Sequence, residues 1–121
     1  MKTILLAEDD PFILGVYANK FREEGFKVDI ARDGEIAFEK IKNNYPDLLV
    51  LDINLPKIDG IQLLKMVRND KKTQNLKVIV VSNLAENGVI NDISGLGVIK
   101  YFLKIQTTPD EVLSAAREIL K

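Results

Sequence analysis

Residues 48–60 read Leu-Leu-Val-Leu-Asp-Ile-Asn-Leu-Pro-Lys-Ile-Asp-Gly, and the first five of them decide the fold. Four apolar residues in succession, with no polar alternate, do not suit a strand with one wet face. A run of this kind, buried on both faces, is what a central strand of a parallel sheet looks like. It ends on Asp52, a carboxylate at a place where burial is costly unless something compensates it.

Working outward from that strand, short apolar runs alternate with longer stretches of helical period. Residues 3–7 read as a strand, closed by Glu8-Asp9-Asp10-Pro11. A helix is expected over 12–24, with Asp10 as its cap, Pro11 in its first turn and Gly25 at its end. Its apolar residues Phe12, Ile13, Val16, Tyr17 and Phe21 recur at three- and four-residue steps and predict one buried stripe. Residues 26–31 form a second strand, and Asp33-Gly34 opens a helix to about 42 with Ile36, Ala37 and Ile41 inward.

Beyond Asp52, Asp59 caps a helix that reaches about 69. A fourth strand covers 77–81 and is closed by Ser82. The fourth helix, over 84–94, contains Asn87, Gly88, Asn91 and Ser94, which are poor helix formers; it is expected to be short, weak or mobile. A fifth strand spans 98–103 and ends at Lys104. Thr108-Pro109-Asp110-Glu111 combines a capping threonine, a first-turn proline and a glutamate three residues on, so the last helix starts there.

Five strand–helix repeats in 121 residues imply an α/β, doubly wound, flavodoxin-like parallel sheet of order 2-1-3-4-5. In such a sheet ligands sit beyond the carboxyl ends of strands 1 and 3. No composition shift or linker divides the chain, so residues 1–121 read as one domain.

Composition narrows the chemistry. With 17 basic and 18 acidic residues the formal net charge is −1, which disfavours direct nucleic-acid binding. The apolar runs are too short to cross a bilayer, and the N-terminus lacks the features of a secretory signal, so a cytoplasmic address is expected. There is no cysteine and no histidine. Thiolate or imidazole metal sites, cysteine nucleophiles and a phosphohistidine relay within this chain are therefore excluded.

The polar residues that remain are placed in a way the sheet can use. Strand 1 ends in Glu8 and Asp9, strand 3 in Asp52, strand 4 in Ser82 and strand 5 in Lys104. Strand 2 lies at the outer edge, away from this group. Singly, each has an ordinary explanation: acids ahead of a helix cap it and complement its dipole, a serine after a strand makes a turn, a lysine there is solvated. Together they converge on one cleft. Three carboxylates within a few ångströms repel one another, and one lysine cannot offset them. A hard divalent cation can, and an all-oxygen site suits Mg²⁺.

These residues resemble the receiver domain of two-component response regulators. The resemblance runs over nearly the whole chain, through Ile4-Leu5-Leu6-Ala7-Glu8-Asp9-Asp10-Pro11, then residues 48–60, then Val78-Ile79-Val80-Val81-Ser82, then Tyr101-Phe102-Leu103-Lys104. It is similar in particular to stand-alone, chemotaxis-regulator-like receivers. The resemblance implies that Asp52 accepts a phosphoryl group from a sensor histidine kinase or phosphotransfer protein. It implies that Glu8, Asp9, Asp52 and the Asn54 carbonyl hold Mg²⁺, that Ser82 is the switch hydroxyl, that Lys104 pairs with a phosphoryl oxygen, and that Tyr101 is the aromatic switch. It further implies phosphorelay signalling without a metabolic enzyme activity. A downstream protein partner would be met on the face of the fourth helix, the fifth strand and the last helix.

Two residues depart from the family pattern. Ile105 follows Lys104 where proline, often after a cis bond, is usual; Asn83 stands beside Ser82 where a small residue is usual. A non-proline cis bond costs about 3–4 kcal/mol, so the peptide before Ile105 is either trans or held by strain. Three other readings stay open on residues alone. A pseudo-receiver would use the fold for binding without phosphorylation. A phosphoaspartate hydrolase would want an acid where Asn54 stands. A flavin carrier would want a phosphate-cradling first loop, which Glu8-Asp9-Asp10 opposes.

Overall fold

The computed structural model describes residues 1–83, 91 and 93–121. Its strands are β1 (Thr3–Ala7), β2 (Lys27–Ala31), β3 (Leu48–Leu51), β4 (Val78–Ser82) and β5 (Lys100–Leu103); its helices are α1 (Pro11–Glu23), α2 (Gly34–Asn43), α3 (Gly60–Asn69) and α4 (Pro109–Ile119). All strand pairs are parallel, in the order β2-β1-β3-β4-β5. The doubly wound arrangement expected from the repeats is the one found.

The continuous apolar strands explain the two-sided burial. Side chains alternate across a strand, and here the alternation divides the core in two. Leu5, Ala7, Leu49, Leu51, Val78 and Val80 join Ala37, Ile41, Leu63, Leu64 and Val67 on the face covered by α2 and α3. Ile4, Leu6, Leu48, Val50, Ile79 and Val81 join Leu14, Ala18, Phe21, Val112 and Ala116 on the face covered by α1 and α4. Each leucine removed from water in this way contributes about 1.5–3 kcal/mol, so β3 holds the molecule together from its centre.

The helix starts follow the capping chemistry. Asp10 Oδ1 accepts from the N–H groups of Phe12 (2.9 Å) and Ile13 (3.3 Å). Asp33 and Asp59 do the same for Ile36 (2.8 Å) and Gln62 (2.9 Å). Helix α1 ends on Gly25, at φ +90°. The Gly25 and Phe26 N–H groups return to the carbonyls of Arg22 and Phe21, and the Phe21 and Phe26 rings meet edge to face at 6.1 Å. This is a Schellman ending with its hydrophobic contact. It takes Phe26 out of β2, which begins one residue later than expected.

The expected buried faces need correction in two helices. On α1 the row that meets the sheet is Leu14, Ala18 and Phe21, while Phe12 is 78% exposed. Apolar residues occupy more than half of that helix's circumference, and the 14-18-21 row is the one the sheet covers. On α2, Ile36 is 40% exposed and Ala37 and Ile41 face inward. Strand β4 includes Ser82, and β5 begins at Lys100 rather than 98. The residues before it are held in a turn: Arg68 donates to the carbonyls of Leu96 (2.7 Å) and Gly97 (3.3 Å), as well as to those of Gln74 and Leu76. The weak helix expected over 84–94 falls largely outside the described residues.

The corrected face of α1 predicts that Leu14→Ala costs about 2–4 kcal/mol, whereas Phe12→Ser changes stability by less than about 0.5 kcal/mol. Urea unfolding of the two variants checks this; the reverse order would restore the stripe first expected.

Candidate functional site

The register of the sheet sets the heights from which the site is built. Ala7 pairs with Leu51, so Glu8 and Asp52 leave neighbouring strands at the same level. Ser82 pairs with Leu103, which brings Lys104 over the same edge from the far side of β4. The Asp52 N–H donates to the Ala7 carbonyl at 2.9 Å, extending the β1–β3 ladder by one rung and fixing the backbone that carries the carboxylate.

Asp52 is 8% exposed and its two oxygens are both engaged. Oδ1 accepts from the Asn54 N–H at 3.0 Å and Oδ2 from Lys104 Nζ at 2.8 Å. The turn that presents the Asn54 N–H depends on close backbone contact. Gly60 N–H returns to the Ile53 carbonyl at 2.7 Å. A Cβ on Gly60 would lie 2.6 Å from Ile53 Cα, so only glycine allows α3 to start this close to the loop.

Lys104 is shared. Its Nζ also donates to Glu8 Oε1 at 2.5 Å, and Glu8 Oε2 accepts from the Asp10 N–H at 3.0 Å. One ammonium thus bridges two nearly buried carboxylates. Burial alone would lower the Lys104 pKa; the hydrogen bonds and charges of Asp52 and Glu8 overcome it and hold the ammonium above the ordinary lysine value. For Glu8, burial dominates and raises the carboxyl above its ordinary value, although Lys104 and the Asp10 N–H pull it down. The Lys104–Ile105 peptide is trans. The chain turns there through a 3-10 turn at Lys104–Gln106, which aims the lysine inward and leaves Ile105 79% exposed.

The remaining residues singled out by sequence take different positions. Ser82 is fully buried at the end of β4. The Tyr101 hydroxyl is buried and close to Ser82 without forming a hydrogen bond of ordinary geometry; burial raises its pKa, and the nearby Ser82 opposes that only in part. Its ring packs with Ile93 and Val98 against the α2–α3 core. Asn54 and Asn83 are exposed, and Asp9 is exposed beside the Lys104 cluster without joining it.

Glu8, Asp9, Asp52 and the Asn54 carbonyl are all oxygen donors, a set whose chemistry fits Mg²⁺. Among the described residues, however, no three acids gather around one point. Glu8 and Asp52 are instead turned to the lysine ammonium, so an arriving cation would compete with Lys104 for them.

Two contacts were not legible beforehand. Arg32, at the end of β2, reaches the Asp9 carbonyl at 3.4 Å, so that strand end is not remote from the site after all. Tyr17 lines a cavity of about 20 Å³ together with Glu8 and Asp52. Its place at helical spacing reads as core packing, and nothing in the sequence marks it as the wall of a site.

Residues 4–117 match the family described as the response regulator receiver domain. The chain is 38% identical over 96 residues to Response regulator GtcR of Aneurinibacillus migulanus, across 79% of this chain and 38% of that protein. It is 33% identical to the alkaline phosphatase synthesis transcriptional regulatory protein PhoP of Bacillus subtilis, across 99% of this chain and 49% of that one. The chain therefore spans half or less of these two relatives. A CheY-like response regulator receiver domain protein from Methanospirillum hungatei superposes with a TM-score of 0.90 at 29% identity, covering 98% of this chain and 92% of that chain.

The shared ammonium makes a pH-dependent prediction. Lys104 holds its proton more tightly folded than unfolded, so its contribution is whole below the unfolded lysine pKa and is lost as pH rises through the folded one. Glu8 takes up its proton more readily folded, so acidification removes one of the two charges that Lys104 otherwise neutralises. Without divalent cations, Lys104→Met is expected to cost about 2–3 kcal/mol near pH 7, a cost that shrinks as acidification protonates Glu8 and again as pH rises past the ordinary lysine value. Urea unfolding across pH checks this; a pH-independent difference would contradict it.

Proposed function

The chain belongs to the response regulator receiver domain family, and on that premise we propose that Asp52 accepts a phosphoryl group in a Mg²⁺-dependent reaction. The donor would be a phosphohistidine on a sensor histidine kinase or phosphotransfer protein, in the cytoplasm. The observation that carries this reading is the pair of hydrogen bonds on Asp52: 3.0 Å from the Asn54 N–H and 2.8 Å from Lys104. They fix a carboxylate at the mouth of the sheet, oriented and charge-compensated.

The steps follow from these groups. A carboxylate oxygen of Asp52 attacks phosphorus as the bond to the donor imidazole nitrogen breaks and the electron pair leaves with the imidazole. Lys104, kept protonated by its surroundings, moves its hydrogen bonds from the carboxylates to the phosphoryl oxygens, where negative charge is greatest. The Asn54 N–H holds the geometry of the attacking carboxylate. Glu8, Asp9, Asp52 and the Asn54 carbonyl would hold Mg²⁺, which neutralises phosphoryl charge when bound. Ser82 then donates its hydroxyl to the phosphoryl group, and Tyr101, already turned into the core beside it, responds to that movement. The output passes through the face of β5 and α4 to a protein partner; the net charge of −1 gives no support to direct nucleic-acid contact.

The reach of Lys104 favours this over a pseudo-receiver. The trans peptide before Ile105 does not prevent Nζ from lying 2.8 Å from Asp52.

Incubation with acetyl phosphate and Mg²⁺ should add one phosphoryl group by intact mass, lost in Asp52→Asn and on chelation of the metal. An unmodified wild type, even with its kinase, would overturn the reading. Asn83, exposed beside the buried Ser82, should slow small donors by bulk. Asn83→Ala is therefore expected to react faster with acetyl phosphate, and equal rates would remove the steric role.

A further inference from the structure

Lys57 sits in the loop after β3 at φ +67°, and among the described residues it alone, glycines aside, has a positive φ. A lysine there brings its Cβ against the following carbonyl oxygen, a conformation that persists only where the surroundings impose it. The side chain does not impose it: 60% of it is exposed, and Nζ lies 3.7 Å from Asp33 Oδ2. The backbone does. The Ile58 N–H donates to the Pro56 carbonyl at 2.8 Å across Lys57, and the Gly34 N–H donates to the same carbonyl at 3.1 Å.

Gly34 is the first residue of α2, so its N–H is one of the amides that a helix start leaves unpaired. Asp33 takes the Ile36 N–H at 2.8 Å, and the Gly34 N–H goes to the loop. The approach is backbone to backbone. A Cβ on Gly34 would lie 1.9 Å from the Ile58 carbonyl oxygen and 2.6 Å from Ile58 Cβ. Gly34 has no positive φ, so the helix itself would accept a side chain at this position. The nearness of Ile58 is what requires glycine. The Asp33-Gly34 pair thus has a second task that starting α2 does not explain.

The far end of the same loop is pinned by α3, where the Gly60 N–H donates to the Ile53 carbonyl at 2.7 Å. Between the two pins stands Asn54, whose N–H meets Asp52 Oδ1 at 3.0 Å. A methyl group on residue 34 would drive the loop back by about 1 Å or more before Ile58 reached contact distance. Misplacement on this scale costs about a hundredfold in rate when the displaced group orients reacting atoms.

We propose that Gly34 is a positioning residue for Asp52: through Pro56 and Ile58 it holds the loop in the strained shape from which the Asn54 N–H aims the carboxylate. The proposal rests on Asp52 as phosphoacceptor. Gly34 touches no reacting atom, and its effect is on the direction of one carboxylate oxygen.

The test compares Gly34→Ala with Glu39→Gly, which weakens the same helix at an exposed position. Two readouts are taken: the Asn54 amide resonance in metal-free protein, and the initial rate of phosphoryl addition from acetyl phosphate with Mg²⁺. In Gly34→Ala the Asn54 amide proton should move upfield and exchange faster with solvent, and the rate should fall about tenfold or more. Glu39→Gly should leave both as in wild type. Lys57 supplies a second pair that decides the matter if Gly34→Ala does not fold. Valine resists a positive φ and glycine accepts it, so Lys57→Val should react about fivefold or more slower than Lys57→Gly. A wild-type rate in folded Gly34→Ala overturns the proposal, whether or not the Asn54 amide moves. Equal slowing in Glu39→Gly, or equal rates for the two Lys57 variants, overturns it too. In each of these cases wild type still gains its phosphoryl group, so the phosphoacceptor reading stands. A wild type that gains none overturns that reading and the role of Gly34 with it.

Discussion

A carboxylate that ends a strand buried on both faces must be compensated, and the structure does this with one lysine. Asp52 cannot be moved outward without breaking its backbone bond to Ala7, which is part of the central ladder. Its charge is met by Lys104, whose position depends on β5 lying beside β4 and on the turn at 104–106. The order of the sheet, the trans peptide at Ile105 and the start of α3 on Gly60 are all conditions for that one contact. Desolvation makes such a pair costly to form and costlier to break on one side only. The site is accordingly fixed in its backbone, and its ion pairing would be given up only to a bound cation that took the place of Lys104.

The sharing of Lys104 between Glu8 and Asp52 makes that replacement chemically useful. With two carboxylates on one ammonium, the cluster carries a residual negative charge, and Asp9 stands exposed next to it. In the proposed reaction Glu8, Asp9 and Asp52 would hold a divalent cation, leaving Lys104 to face the phosphoryl oxygens. The same contacts that stabilise the resting state thus supply the groups that the proposed reaction needs.

How far these features could be read in the sequence varied with their physical origin. Strands β1 and β3 were legible to the residue because an unbroken apolar run has one stable place, the middle of a covered parallel sheet. The caps at Asp10, Asp59 and Thr108 and the helix start at Asp33-Gly34 were legible because they are local chemistry. The buried face of α1 was not, since Phe12, Ile13, Leu14, Val16, Tyr17 and Ala18 offer overlapping stripes and the sheet chose between them. Strand β5 begins at Lys100, two residues later than expected, although the Ile99 N–H already donates to the Val78 carbonyl of β4 at 2.9 Å; just before it Arg68, from α3, binds the carbonyls of Leu96 and Gly97, a long-range contact. Within the site, the gathering of Asp52 and Lys104 followed from topology. The pairing of Glu8 with Lys104, the approach of Arg32 and the wall made by Tyr17 depend on side-chain reach, which spacing along the chain does not encode.

Membership in the receiver family and the geometry around Asp52 point to the same atom, and the account stands or falls on whether that atom takes the phosphoryl group. The most direct measurement is reductive trapping: the protein is phosphorylated, the acyl phosphate is reduced with borohydride, and the altered residue is located by peptide mass spectrometry. The account predicts a single reduced residue, at position 52. Modification at Glu8 or Asp9, or at no residue of a chain shown to be folded, would contradict it.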